Sequence, residues 1–267
     1  MQITAKTIKE DLARAKACYL KNEDLRVLAT VASALKGFTV AKLSGSERAE
    51  IESLLREAFS NMNKIARVQK FVPKGIPYLK GQEPKLFQYV AAVYKKVQED
   101  MERETLEQTR ERKLKIDQLI LKGQKFLDDG NLLEAQRSFR EAVTLHVDED
   151  GLFPMLALRL IDKGHHKASL EYIRGAIETS PENARAYDLL VTATQKLGEP
   201  EAGLKVLADA RKKVKDCAML LAASALVKAR AGRKEEALAE ARQALEQSPN
   251  LDMARKAQAL AEKIGAR

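Results

Sequence analysis

Residues 114–147 read LKIDQLILKGQKFLDDGNLLEAQRSFREAVTLHV, and two positions of this stretch recur every 34 residues along the chain. The first position is always glycine and the second, 12 residues later, is always alanine: Gly130, Gly164, Gly198 and Gly232, then Ala142, Ala176, Ala210 and Ala244. The glycines fall between two helical runs, where a residue that accepts a positive φ ends a helix. The alanines allow close helix approach, because a larger side chain there would overpack the seam. A strict period of 34 predicts a solenoid of helix–turn–helix units that bury their apolar faces against one another.

The spacing of the larger side chains is family-specific. The first unit has apolar or small residues at the positions that define the pattern, namely Leu119, Gly123, Phe126, Ala135, Phe139 and Ala142. This pattern resembles the tetratricopeptide repeat, and the resemblance covers residues 114–267. It implies an α–α superhelix of four helix pairs, at 114–147, 148–181, 182–215 and 216–249, with a capping helix at 250–267.

The residues before the repeats also have helical periodicity, so the whole chain is predicted to be all-α. Two amphipathic helices are expected at 7–21 and 24–36, with Gly37 ending the second, and Ser44 or Ser46 is expected to cap a third. The pattern lapses between 68 and 84, where proline and glycine recur. We therefore predict an N-terminal helical domain at 1–83 that ends in this connector, a long connecting helix at 84–113 and a repeat domain at 114–267.

Composition limits the class of protein. The chain has a formal charge of +9, and residues 1–113 hold 22 Lys and Arg against 15 Asp and Glu. No signal peptide and no membrane span is recognisable, which indicates a cytoplasmic protein. Cys18 and Cys217 have no metal-type spacing, so two buried thiols are expected. No phosphate loop, dinucleotide fingerprint, zinc motif or nucleophile elbow occurs, so we expect no enzyme, no cofactor and no metal.

The connector combines basic and aromatic residues. Five cations, Arg67, Lys70, Lys74, Lys80 and Lys85, surround Phe71 and Tyr78. Such a segment can hold a nucleic-acid backbone and stack on its bases, so binding of nucleic acid, in a regulatory role, is the alternative function. The other interpretation is a connector whose aromatic rings pack down on the helices.

The resemblance implies a concave groove lined by the first helix of each pair. By register, its partner-binding side chains are Gln124, Leu127, Met155, Leu158, Ile161, Arg185, Leu189, Thr192, Lys196, Met219 and Leu226. The register also places Arg230 on this surface. Chaperone-binding members of the family hold terminal carboxylates with a clamp of basic and amide side chains, but here Arg185 is the one cation at a clamp position. A largely apolar groove suits an amphipathic helix or an extended apolar segment of a partner protein.

The sequence thus predicts a non-enzymatic adaptor or scaffold that binds a protein segment, with a homo-oligomer as a further expectation. Two alternatives stay open for the groove: its side chains pack against one another, or the chain's own N-terminal helices fill it. If the groove is open, Leu189→Asp is expected to abolish partner capture while helicity stays intact.

Overall fold

Thirteen α-helices and no strand make up residues 3–149 and 151–264, the part of the chain that the computed structural model describes. The chain forms two compact units, Met1–Arg110 and Glu111–Arg267. None of the helices within the described residues is long and apolar enough to cross a bilayer. The domain limits at 83 and 113 stay predictions.

Unit 1 contains four helices and the beginning of a fifth. They are α1 (Ala5–Leu20), α2 (Asp24–Val40), α3 (Gly45–Met62), α4 (Ala66–Phe71) and α5 (Glu83–Asp128). Its core is formed by the apolar stripes of these helices, with Leu28, Leu35, Ile51 and Leu55 completely buried. Ser44 caps α3 in a capping box with Glu47, which satisfies free backbone amides at the start of the helix.

Gly37 does not end α2, so that prediction was wrong. The helix continues to Val40, and a Cβ added at Gly37 would lie 3.1 Å from Cγ1 of Ile8. Glycine is present here because α1 packs closely against α2, not because the backbone turns.

The connector at 68–84 is part of the unit 1 core. It begins within the short helix α4, which the sequence did not predict, and Val68, Val72 and Ile76 are buried. The amide of Asn63 fixes its path, since Nδ2 donates to the carbonyl of Ile76 at 2.9 Å and Oδ1 accepts from the Ile76 N–H at 2.8 Å. The helical periodicity of the sequence is lost here because most of the segment has irregular backbone structure, not because the segment as a whole is exposed to solvent.

Unit 2 is a series of antiparallel helix pairs. The last part of α5 pairs with α6 (Leu132–Thr144), α7 (Leu152–Asp162) with α8 (His166–Thr179), α9 (Ala184–Leu197) with α10 (Pro200–Arg211), and α11 (Ala218–Arg230) with α12 (Lys234–Gln247). Each pair turns at one of the recurring glycines, whose φ angles lie between 73° and 80°. The recurring alanines are at most 2% exposed. Both predicted roles are confirmed, and unit 2 has a tetratricopeptide-like fold.

A final helix, α13 (Asp252–Lys263), packs against α11 and α12. It continues the register, since Met253 and Leu260 stand 34 residues after Met219 and Leu226. Asp150 of the predicted second pair and residues 265–267 of the predicted cap lie outside the described residues.

Candidate functional site

Two cavities lie beside the first helices of the last two pairs, α9 and α11, and beside α13. The first has a volume of about 410 Å³ and is called here the Met219 cavity. Its lining residues are Ala184, Asp188, Val191, Thr192, Met219, Leu226, Arg230, Leu251, Asp252, Met253 and Lys256. Apolar side chains thus form one part of its wall and charged side chains another.

The second cavity, called here the Leu260 cavity, also has a volume of about 410 Å³. It is lined by Val191, Thr194, Gln195, Gly198, Pro200, Val227, Arg230 and Leu260. Val191 and Arg230 line both cavities, so the two are adjacent. Both volumes fall within the range of about 300 to 1,000 Å³ that is usual for ligand sites.

The charged groups of the Met219 cavity differ in their partners. Lys256 Nζ lies 2.6 Å from Asp252 Oδ2, and this hydrogen bond, with a smaller contribution from Asp188, raises the pKa of Lys256. Arg230 instead donates from Nη1 to the backbone carbonyl of Val191 at 3.2 Å. Partial burial lowers the pKa of Arg230, and no carboxylate among residues 3–149 and 151–264 counteracts this effect.

The structure divides the predicted groove residues into three groups. Leu127, Ile161, Leu189 and Leu226 are at most 8% exposed and belong to the core of unit 2. Half-buried positions are Gln124, Met155, Leu158, Thr192 and Met219, and exposed ones are Arg185 and Lys196. Part of the predicted groove therefore belongs to the core, which agrees with the alternative that its side chains pack against one another. Thr192, Met219 and the buried Leu226 also line the Met219 cavity.

The burial of Leu189 overturns one sequence-based test. Leu189 is 8% exposed, and an aspartate there would place an unpaired charge in the core. We now expect Leu189→Asp to destabilise unit 2, so loss of partner capture by this variant would not report on the groove.

A polar bridge lies between the first helices of the first two pairs. Nη1 of Arg159 donates to Oε1 of Gln124 at 2.7 Å, and Lys163 Nζ lies 2.8 Å from Asp128 Oδ1. The hydrogen bond from Lys163 lowers the pKa of Asp128. Gln124 is thus already engaged, and the sequence analysis missed Arg159 because its partner stands 35 residues earlier.

The sequence analysis also missed the contribution of α13, which it treated as a cap. Met253, Lys256 and Leu260 line the cavities. The 34-residue step from Met219 and Leu226 is the signal that could have identified Met253 and Leu260.

Most cations of the basic segment pair with carboxylates of unit 1. Arg67 Nη2 lies 2.7 Å from Glu104, Lys70 Nζ 2.7 Å from Asp100, and Lys80 Nζ 2.9 Å from Glu52. Lys74 and Lys85 are exposed and have no carboxylate within 4.0 Å among the described residues.

The aromatic residues of the basic segment are directed into the unit. Phe71 and Tyr78 pack against the core, and Tyr78 stacks edge-on against Phe59 with ring centroids 5.7 Å apart. The Tyr78 hydroxyl donates to Glu83 Oε1 at 2.9 Å, and burial is the main reason that its pKa is raised. The segment therefore has the structure of a packed connector.

The other chemistry-bearing residues form no cluster. Among residues 3–149 and 151–264, no group of three or more His, Cys, Asp or Glu is placed to hold a metal ion. Cys18 and Cys217 are free thiols of intermediate exposure, and burial raises the pKa of Cys18.

The helix pairs and their 34-residue register define a tetratricopeptide-like fold. No family model and no curated protein sequence matches the chain. Among solved structures, it is similar to a tetratricopeptide repeat protein from Parabacteroides merdae ATCC 43184, with 13% identity, 96% of this chain and 99% of that chain covered, and a TM-score of 0.33.

It is also similar to YrrB, a TPR protein with an unusual peptide-binding site, at 15% identity, with 92% of this chain and 88% of that chain covered and a TM-score of 0.32. A third similar structure is the TPR2AB domain of yeast Sti1 in a pHSP90 complex. Its identity is 12%, 97% of this chain and 98% of that chain are covered, and the TM-score is 0.33. The fold assignment rests on the helix pairs and their register, since likeness at these scores is weak.

Proposed function

We propose that the protein is a non-enzymatic interaction scaffold in which unit 2 holds a segment of a partner protein against α9, α11 and α13. The observation behind this proposal is the Met219 cavity, where the half-buried side chains of Met219 and Leu251 lie beside the apolar core of unit 2. Met219 is half-buried, and the buried side chains of Leu226 and Met253 also line the cavity. Burial of apolar surface by a partner is the main source of binding free energy at such a site.

The chemistry of the wall favours an amphipathic helix or an extended apolar segment. Two methionines, Met219 and Met253, line the cavity, and the flexible thioether adapts to side chains of different shape. Polar groups at the rim, Thr192 and Asp188, are suited to orient the bound segment.

The test is a selection of peptides displayed on phage against the immobilised full chain, followed by affinity measurements on an enriched peptide. Met219→Glu is expected to weaken binding by at least about tenfold, because the peptide then has to bury a charge beside its apolar side chain. The matched control is Leu204→Glu on α10, since Leu204 is also half-buried against the unit 2 core but lines neither cavity.

Equal affinity of the peptide for Met219→Glu and the wild type would place the binding surface elsewhere. Enrichment of no peptide, together with dimerisation that Met219→Glu abolishes in light scattering, would instead assign the cavity to self-association.

A further inference from the structure

Arg230 differs from the other basic residues around the two cavities, and this difference defines the chemistry of the bound segment. Building on the proposed function, we infer that the segment presents an aspartate or glutamate side chain next to a large apolar one. Arg230 binds the carboxylate, and the apolar neighbour enters the Leu260 cavity.

The position of Arg230 supports this role. It is the last residue of α11 and lines both cavities. The structure gives its guanidinium one hydrogen bond, from Nη1 to the carbonyl of Val191. An arginine fork has five N–H donors, so one fixed bond orients the group and leaves donors for a carboxylate.

Lys256, which also lines the Met219 cavity, and the two cations nearest to Arg230 in sequence have carboxylate partners. Lys228 Nζ lies 3.0 Å from Glu236 and 3.2 Å from Glu240, and Arg233 Nη2 lies 2.6 Å from Glu201. Arg230 has no carboxylate within 4.0 Å among residues 3–149 and 151–264. It is therefore a cation at a cavity whose countercharge its own described chain does not supply.

Partial removal from water makes a bound carboxylate more favourable at this position. Arg230 is an exposed residue, and the partial burial of its guanidinium lowers its pKa. Arginine stays charged throughout the physiological range, so the site keeps its cation. A charge-assisted hydrogen bond to a carboxylate is stronger than one between neutral groups, and partial exclusion of water strengthens it further.

The lining of the Leu260 cavity explains the apolar neighbour. Val191, Val227 and Leu260 contribute apolar surface beside Arg230, and no acidic residue belongs to its lining. The Met219 cavity is a poorer place for the carboxylate, because it contains Asp188 and Asp252. A segment with adjacent acidic and apolar side chains matches both parts of the Leu260 cavity.

The experiment is a parallel selection of phage-displayed peptides against the full chain as wild type and as Arg230→Gln. Peptides from the wild-type selection are expected to have an acidic residue at a fixed position beside a large apolar one. Binding of such a peptide should weaken roughly 10- to 100-fold in Arg230→Gln, the loss typical of a charge-assisted hydrogen bond. Arg230→Lys should recover part of it.

Arg242→Gln is the matched control. Arg242 is an exposed arginine on α12 that lines neither cavity, and its replacement should leave affinity unchanged. Replacing the acidic residue of the peptide by its amide should weaken binding to the wild type as much as Arg230→Gln does. In Arg230→Gln the same replacement should have little further effect, because the two groups act as a pair.

The outcomes separate this inference from the proposed function. If a peptide depends on Met219 but binds Arg230→Gln as tightly as the wild type, the scaffold proposal stands and the role of Arg230 is wrong. If decanoate binds in an Arg230-dependent manner while no acidic peptide does, the occupant is a small carboxylate and not a protein segment.

Discussion

The basic segment of unit 1 and Arg230 of unit 2 place positive charge in different surroundings. In unit 1, Glu52 and Asp100 are only 4% and 2% exposed, and they pair with Lys80 and Lys70 at the surface. In unit 2, Arg230 lies beside two cavities without a carboxylate partner among the described residues. Unit 1 thus pairs cations of its basic segment with buried carboxylates, whereas unit 2, in the part of the chain that the structure describes, leaves Arg230 unpaired beside the two cavities.

This comparison shows why net charge does not locate a binding site. A cation is available to a ligand only where the fold brings no carboxylate of its own chain within reach. Whether a carboxylate is within reach depends on residues far apart in sequence, such as Lys80 and Glu52. The three predictions below test this contrast, from the largest expected effect to the smallest.

The largest effect is expected where both cations around a buried carboxylate are removed. Glu52 Oε1 lies 3.6 Å from Arg48 and Oε2 lies 2.9 Å from Lys80. The double variant Arg48→Met/Lys80→Met leaves this carboxylate buried and unpaired, which we expect to lower the free energy of unfolding by about 2 to 3 kcal/mol. Urea denaturation of the full chain measures the change.

Its control uses two lysines of the same segment. Lys74→Met/Lys85→Met removes the same number of charges from positions without an ion pair among the described residues, so a change below about 0.5 kcal/mol is expected. Equal destabilisation by the two double variants would mean that the basic segment does not stabilise unit 1 through its ion pairs.

The sequence predicted unit 2 well because its signals are local. Glycine in the turn and alanine in the seam depend on the helix pair itself, and the predicted second pair at 148–181 corresponds to α7 and α8. At Gly37 the same reasoning failed, since that glycine responds to Ile8 on another helix. The sequence does not distinguish a glycine that ends a helix from one that allows two helices to approach.

The candidate site was predictable in part. Register placed Met219 and Arg230 on the groove side, and both line cavities. Register could not show that Leu189 is closed off by its neighbours, or that Lys228 and not Arg230 takes Glu236 and Glu240. These facts depend on packing between repeats and on side-chain direction, which a one-dimensional pattern does not contain.

A smaller effect is expected on acidification. The hydrogen bond from Lys70 is the main cause that lowers the pKa of Asp100, with Arg103 contributing further. Because the pKa of this carboxyl group is lower in the folded than in the unfolded chain, the unfolded chain binds more protons on acidification. The stabilisation is therefore complete above the ordinary pKa of about 3.9 and is lost as the pH falls through the folded-state pKa. Urea midpoints between about pH 2 and pH 7 should show the difference between wild type and Asp100→Asn shrinking at low pH.

Glu107→Gln is the control for the pH series, since Glu107 is exposed and has no ion pair among the described residues. A difference between wild type and Asp100→Asn that stays constant with pH would show that the aspartate stabilises unit 1 by packing alone.

The smallest effect on stability is expected at Arg230, which differs from the paired cations of unit 1. Because no carboxylate of the described chain is left unpaired when Arg230 is replaced, Arg230→Gln should change the free energy of unfolding by no more than about 0.5 kcal/mol. Relief of desolvation should partly offset the lost hydrogen bond to Val191. Urea denaturation of Arg230→Gln and of Arg48→Met/Lys80→Met under the same conditions compares the two losses in free energy of unfolding directly. A loss of 2 kcal/mol or more, on the order of a buried pair, would make Arg230 a structural cation like those of unit 1.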